Sequence, residues 1–117
     1  LLGSSWLVVT GVLLATRGLP PAGPLYDAAL HGVFVGYVLS MIFAHAPIIL
    51  PAVARVAIPF HPALWGALLV LHASLVARVA GDLALDATLR RAGSIGNAVA
   101  LALFVLAVAR ARATASR

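Results

Sequence analysis

Four long apolar segments, rarely interrupted by charge, constrain the fold of this chain more than any other feature. Hydrophobic residues make up 63% of its 117 residues, and charged residues make up only 9%. A soluble domain of this size exposes much of its surface to water and cannot hide so many apolar side chains. The sequence therefore predicts a single all-α integral membrane bundle of four transmembrane helices, in about residues 1–16, 25–44, 62–80 and 92–109.

The connecting segments contain the residues that end helices. Residues 19–24 predict a stiff turn, because their three prolines remove backbone donors and restrict the residues before them. Residues 45–60 are apolar but hold three prolines and one arginine, which predicts a short helix lying in the membrane interface or tucked against protein. A kinked extension of the second helix beyond the membrane is the alternative. Pro62 is expected to start the third helix and Gly81 to end it, with polar residues 82–91 leading into the fourth.

The charged residues lie mainly at the predicted helix ends. Basic residues number four on each predicted side of the membrane, which leaves the orientation open. The side of the termini carries Arg55, Arg110, Arg112 and Arg117, and the opposite side carries Arg17, Arg78, Arg90 and Arg91. The arginines clustered in the C-terminal tail favour cytoplasmic termini, in the inner membrane of a bacterium. Scattered in this way, arginines suit lipid phosphates or a protein partner and do not form the basic patch that nucleic acid requires.

Small side chains recur at every fourth position of the second helix. This strip, which we call the seam, consists of Ala28, Gly32, Gly36, Ser40 and Ala44. Small residues let a second backbone approach closely, so the seam predicts a docking face for other membrane subunits. The alternative is that glycine and alanine are simply common in membrane helices.

The fourth helix carries shorter strips of the same kind. They are formed by Ala92, Gly96 and Ala100, and by Gly93 with Asn97. The Asn97 amide is costly against hydrocarbon and is expected to find a partner on another helix. Arg78, Asp82 and Asp86 follow each other at four-residue spacing and predict a structural charge ladder. A proton relay through the two aspartates is the alternative.

Four histidines form the one set of residues with coordination chemistry. His31 and His45 are 14 residues apart, so they return nearly to one face of the second helix. His61 and His72 are 11 residues apart and do the same on the third. Because these helices are antiparallel, the histidines predict two stacked sites for haem b, each with one imidazole from each helix. Asp27 would orient His31 as a hydrogen-bond partner.

Structural roles are the alternative for each histidine, above all for His45 and His61, which flank proline-containing turns. His72 lies in the apolar run 68–76, where its ring needs a partner inside the protein, either a hydrogen bond or a cofactor. The main candidate ligands are therefore His31 and His72, with His45 and His61 as weaker ones. The sequence leaves the identity of any other metal open.

Two stretches resemble a known family. Residues 30–37 (Leu-His-Gly-Val-Phe-Val-Gly-Tyr) and 72–81 (His-Ala-Ser-Leu-Val-Ala-Arg-Val-Ala-Gly) are similar to parts of the NnrS-like proteins. Those are longer polytopic membrane proteins linked to nitric-oxide metabolism and described as carrying haem and copper. The resemblance covers about two helices and implies a haem ligand at His31.

Motifs of soluble enzymes are missing from the sequence. It has no phosphate-binding glycine loop, no paired carboxylates, no zinc-binding histidine motif and no cysteine. Independent catalysis is therefore not expected. Three functions remain: an accessory subunit of a respiratory or photosynthetic membrane complex, a haem protein of electron transfer or nitric-oxide metabolism, and a fragment of a transporter.

Overall fold

The chain folds as an all-α bundle of four helices, as the sequence predicts. A computed structural model describes residues 1–116 and shows no strand among them. The helices are α1 (Leu2–Arg17), α2 (Pro24–Ala54), α3 (Ala63–Ala84) and α4 (Ala87–Ala115). The bundle is elongated, with principal extents of 52 × 26 × 21 Å.

Three helices, α2, α3 and α4, are long and apolar enough to cross a membrane. Helix α1 has 16 residues, which corresponds to roughly 24 Å at 1.5 Å per residue, short of a hydrocarbon core of about 30 Å. Crossing by α2, α3 and α4 therefore agrees with the structure, whereas crossing by α1 stays a prediction.

Helix α2 does not end where the sequence suggests. It continues through Pro47 and Pro51 to Ala54, and the chain then leaves the helix at Arg55, which has φ of 53°. The predicted interfacial helix is thus wrong for residues 45–54, and the alternative, an extended second helix, is correct. A proline costs one backbone hydrogen bond, but its fixed φ is helical, and an apolar environment offers the remaining backbone groups no better partners.

Helices α3 and α4 form a hairpin with a link of only two residues, Leu85 and Asp86. Gly81 does not end α3: the amide of Asp86 donates to the Gly81 carbonyl (2.9 Å) and that of Leu85 to the Asp82 carbonyl (3.4 Å), which together close a Schellman motif. The Asp86 carboxylate then accepts from the amides of Thr88 (2.9 Å) and Leu89 (3.1 Å) and caps α4. The predicted polar connector 82–91 is therefore almost entirely helical.

The apolar core lies where α2, α3 and α4 meet. The rings of Phe43 and Phe104 stack with centroids 4.0 Å apart and planes 6° from parallel, which joins α2 to α4. Leu71 and Leu75 of α3 are completely buried. Leu71 packs with the two rings in the half of the bundle nearer the C-terminus, whereas Leu75 packs with Ala28 and Val79 in the other half, which the polar contacts described below also hold.

Candidate functional site

The seam on α2 is a close-packing face, and its partner is α1 of the same chain. An added Cβ on Gly36 would lie 2.6 Å from Cβ of Trp6, and one on Gly3 would lie 3.1 Å from Cβ of Ser40. Gly32 is pressed equally closely against Thr10. Helix α1 therefore covers the middle of the seam, and docking of other subunits on this face stays a prediction.

The two end residues of the seam differ from its middle. Ala28 is buried against Leu75 and Val79 of α3, whereas Ala44 faces outward. Between them, residues Gly32–Leu39 form a π-helix. On an α-helix a strip at four-residue spacing drifts by about 40° per step, since each turn takes 3.6 residues. The wider π-turns offset this drift and keep the middle of the seam facing α1.

The small residues of α4 pack against α3. An added Cβ on Gly93 would lie 2.6 Å from Cα of Arg78, and Gly96 is pressed against Ser74. The Ser74 hydroxyl donates to Oδ1 of Asn97 at 2.7 Å. The prediction that Asn97 finds a partner across a helix contact is confirmed. Ala92 faces outward and takes no part in this packing.

A chain of hydrogen bonds passes through His72, roughly halfway along α3. The indole N–H of Trp6 donates to Nδ1 of His72 at 3.0 Å, and Nε2 of His72 lies 3.3 Å from the Ser40 hydroxyl oxygen. Indole nitrogen is a donor only, so Nδ1 must be the unprotonated nitrogen and Nε2 must carry the hydrogen. The imidazole therefore accepts from α1 and donates to α2.

Both ring nitrogens of His72 are thus used inside the protein, and neither offers a lone pair to iron. His31 contacts Asp27, as the sequence predicts: its Nδ1 lies 2.9 Å from the backbone carbonyl of Asp27, so Nδ1 is the donor and Nε2 keeps its lone pair. Asp27 and Ser40 are 13 residues apart on α2, roughly 20 Å along a helix axis, so the two imidazoles have partners at different depths. The residues present do not fit the paired-histidine haem site expected from the sequence.

The two remaining histidines lie at the end of the bundle nearer the termini. Nδ1 of His45 lies 2.8 Å from the Met41 carbonyl, and Nδ1 of His61 accepts from the amide of Ala63 at 3.1 Å, at the start of α3. Both side chains are exposed. These contacts fit structural roles for His45 and His61, which the sequence offers as the alternative to haem ligation. Within residues 1–116, no group of three or more histidine or acidic side chains gathers to hold a metal ion.

A charged cluster joins three helices at the opposite end of the bundle. Its members are Asp27 on α2, Arg78 and Asp82 on α3, and Arg90 on α4. The Arg78 guanidinium pairs with Asp27 and also contacts the Ser94 hydroxyl. Its Nε lies 3.6 Å from Asp82, and Arg90 lies 3.8 Å from the other oxygen of Asp82. The two positive and two negative charges cancel formally.

Asp82 is the most enclosed member of the charged cluster. Its side chain is 0% exposed, and neither of its oxygens has a hydrogen-bond donor within the described residues. The pairing with Arg78 belongs to the charge ladder that the sequence predicts. Asp86 does not extend the ladder, because its carboxylate caps α4. Removal of one partner from a buried pair costs about 3–5 kcal/mol, so the cluster holds α2, α3 and α4 in register.

A family model matches almost the whole chain. The family model described as "Domain of unknown function (DUF8744)" matches residues 1–113. The chain belongs to the DUF8744 family. No curated protein and no solved structure matches this DUF8744 chain. The family match does not bear on the resemblance to NnrS-like proteins, which stays a prediction.

Sequence reasoning missed two members of the hydrogen-bond chain. The sequence patterns assign Trp6 no role, although tryptophan is typical of membrane interfaces and an indole at mid-bundle needs a polar partner. Ser40 belongs to the seam through its small size, and the seam gives its hydroxyl no role. The signal for both was available: a polar side chain inside hydrocarbon must be paired with another.

Proposed function

We propose that this DUF8744 chain is a structural membrane protein, an accessory subunit of a larger respiratory or photosynthetic complex, without catalysis of its own. The observation that supports this most strongly is that its interior polar side chains form hydrogen bonds between its own helices. Trp6, His72 and Ser40 tie α1, α3 and α2 together, and Ser74 with Asn97 ties α3 to α4.

The charged cluster supports the same proposal. Catalysis by general acid or base requires a titratable group that can reach a substrate. Arg78 is engaged by Asp27, Asp82 and Ser94, and Asp82 is sealed from solvent. These groups serve as fixed cross-links between helices, which suits a scaffold.

The outward faces of the helices supply the surface for a partner. Because the middle of the seam is filled by α1, a second subunit must contact other faces. Gly66 on α3 and Gly11 on α1 have no atom within 4 Å of an added Cβ, so a neighbouring helix can approach the backbone there. Large apolar side chains such as Leu69 and Val76 also point outward on α3.

The test is purification of the full-length chain from its native membrane at its native expression level. We expect it to migrate with a large complex that contains haem or pigment, at a fixed stoichiometry measured by quantitative mass spectrometry. The chain purified alone should show no Soret absorbance. A monomer in mild detergent under several lipid conditions would contradict the proposal. A Soret band that disappears in His31→Ala would instead support the haem function.

A further inference from the structure

Asp82 is an acid that the fold seals from water and supplies with no hydrogen-bond donor. Its side chain is 0% exposed, and neither carboxyl oxygen has a donor within hydrogen-bond distance among the described residues. The two cations beside it lie farther away than the roughly 2.7–2.9 Å of a charge-assisted hydrogen bond. Arg78 is at 3.6 Å and Arg90 at 3.8 Å. An ionised carboxylate in this position is therefore poorly stabilised by its surroundings.

Asp27 competes with Asp82 for the same cation. The Arg78 guanidinium pairs most closely with Asp27, and the carboxyl groups of Asp27 and Asp82 lie within hydrogen-bonding reach of each other. Two ionised carboxylates at such a separation repel, whereas one proton between them replaces the repulsion by a hydrogen bond. Arg90 offsets this repulsion weakly, because its side chain is 42% exposed and solvent screens its charge.

Exposure and pairing decide which of the two acids carries the proton. Asp27 is 33% exposed, is the closest partner of Arg78 and has the His31 ring 3.5 Å from its carboxylate, so it is the acid that keeps its negative charge. Asp82 has neither solvent nor a close cation. The charged groups that face Asp82 come from α2, α3 and α4, and within the described residues α1 contributes no ion pair to it.

We propose that Asp82 is a proton-binding site, which holds a proton at neutral pH and donates it in a hydrogen bond to the ionised carboxylate of Asp27. The proton comes from water that reaches Asp27, and the O–H bond of Asp82 is the only covalent bond formed. The charged cluster then carries one net positive charge, and α2 is joined to α3 through both Arg78 and Asp82. Proton binding here is independent of whether the chain is an accessory subunit.

Infrared spectroscopy of the full chain in lipid nanodiscs tests this site directly. The sequence contains three acidic side chains, all aspartates, so aspartate labelled with ¹³C at its side-chain carboxyl reports on Asp27, Asp82 and Asp86 alone. At neutral pH we expect a labelled band of one protonated carboxyl, which disappears in Asp82→Asn. Asp86→Asn is the matched control: asparagine also caps helices, and the band should remain.

Unfolding in mixed micelles separates a protonated Asp82 from an ionised one. Asparagine has the shape of the neutral acid and its amide can donate to Asp27, so Asp82→Asn should change the unfolding equilibrium constant by less than about threefold. Asp27→Asn removes the carboxylate that Arg78 and Asp82 bind, and should raise this constant by about tenfold or more. Equal loss of stability in the two variants would overturn the proposal, as would a band that persists in Asp82→Asn. Absence of the band from the unmodified chain would also overturn it and assign Asp82 to an ionised pair, with or without a bridging water.

Discussion

At the scale of single residues, glycine positions decide how closely the helices approach. Gly36 accepts the Trp6 side chain against its backbone, and this places the indole within reach of His72. Gly93 similarly admits the backbone of α3. Neither glycine has a positive φ, so their role is one of space and not of backbone conformation.

Gly36→Ala should destabilise the bundle by about 1–3 kcal/mol, because the new methyl group overlaps Trp6 and forces it from His72. Unfolding by sodium dodecyl sulfate in mixed micelles, followed by helical circular dichroism, measures this change. Gly66→Ala is the matched control: it meets no atom within 4 Å and should be neutral or stabilising by up to about 1 kcal/mol. Equal effects at the two positions would contradict the close packing of α1 on α2.

The charged cluster makes a second prediction at this scale. Arg78→Ala leaves Asp27 and the buried Asp82 without their shared cation and should destabilise the protein by about 3 kcal/mol. The same unfolding measurement applies. Arg91→Ala removes an exposed arginine of the same helix hairpin and should change the stability by less than about 0.5 kcal/mol. If both variants behave alike, the cluster contributes nothing to stability.

At the scale of elements, the bundle is assembled from an α1–α2 pair and an α3–α4 hairpin, each with a glycine-lined contact. Leu85, in the hairpin link, adopts φ of 57°, a left-handed conformation that favours glycine. Its side chain is 77% exposed, so its packing offsets little of the free-energy cost of this conformation. The strain is tolerated because the Schellman hydrogen bonds and the Asp86 cap define the turn.

Leu85→Gly should therefore stabilise the hairpin by about 1 kcal/mol, the cost of the left-handed conformation for a residue with a Cβ. Reversible unfolding in mixed micelles reports the change. Ala80→Gly is the control, because Ala80 lies within α3 and its side chain faces outward. This substitution should destabilise the protein by about 1 kcal/mol. A loss of stability in Leu85→Gly would show that the turn has a different conformation.

At the scale of the whole molecule, charge is distributed unevenly between the two ends. Arg78 and Arg90 are paired with aspartates at the end where α3 turns into α4. No ion pair involves Arg55, Arg110 or Arg112 at the opposite end within the described residues. The expectation that the termini are cytoplasmic in a bacterial inner membrane, taken from the C-terminal arginines, stays a prediction.

A reporter fusion tests this orientation in living cells. A C-terminal fluorescent protein that folds only in the cytoplasm should fluoresce, and a C-terminal phosphatase that is active only outside it should be silent. Removal of basic residues should alter the result. In the double variant Arg110→Ala with Arg112→Ala, we expect a larger fraction of molecules in the opposite orientation, because flanking basic residues determine topology. Phosphatase activity in the unmodified chain would reverse the assignment.

The sequence by itself determined the all-α class, the approximate positions of the apolar helices, the close-packing nature of the seam and the need of Asn97 for a partner. These follow from local composition and helical periodicity, which require no knowledge of neighbours. Only the tertiary structure decided that α1 fills the seam, that Trp6 and Ser40 share His72, and that Asp27 joins Arg78 across 51 residues. Periodicity places a side chain on a face, but which helix meets that face depends on how the whole chain packs.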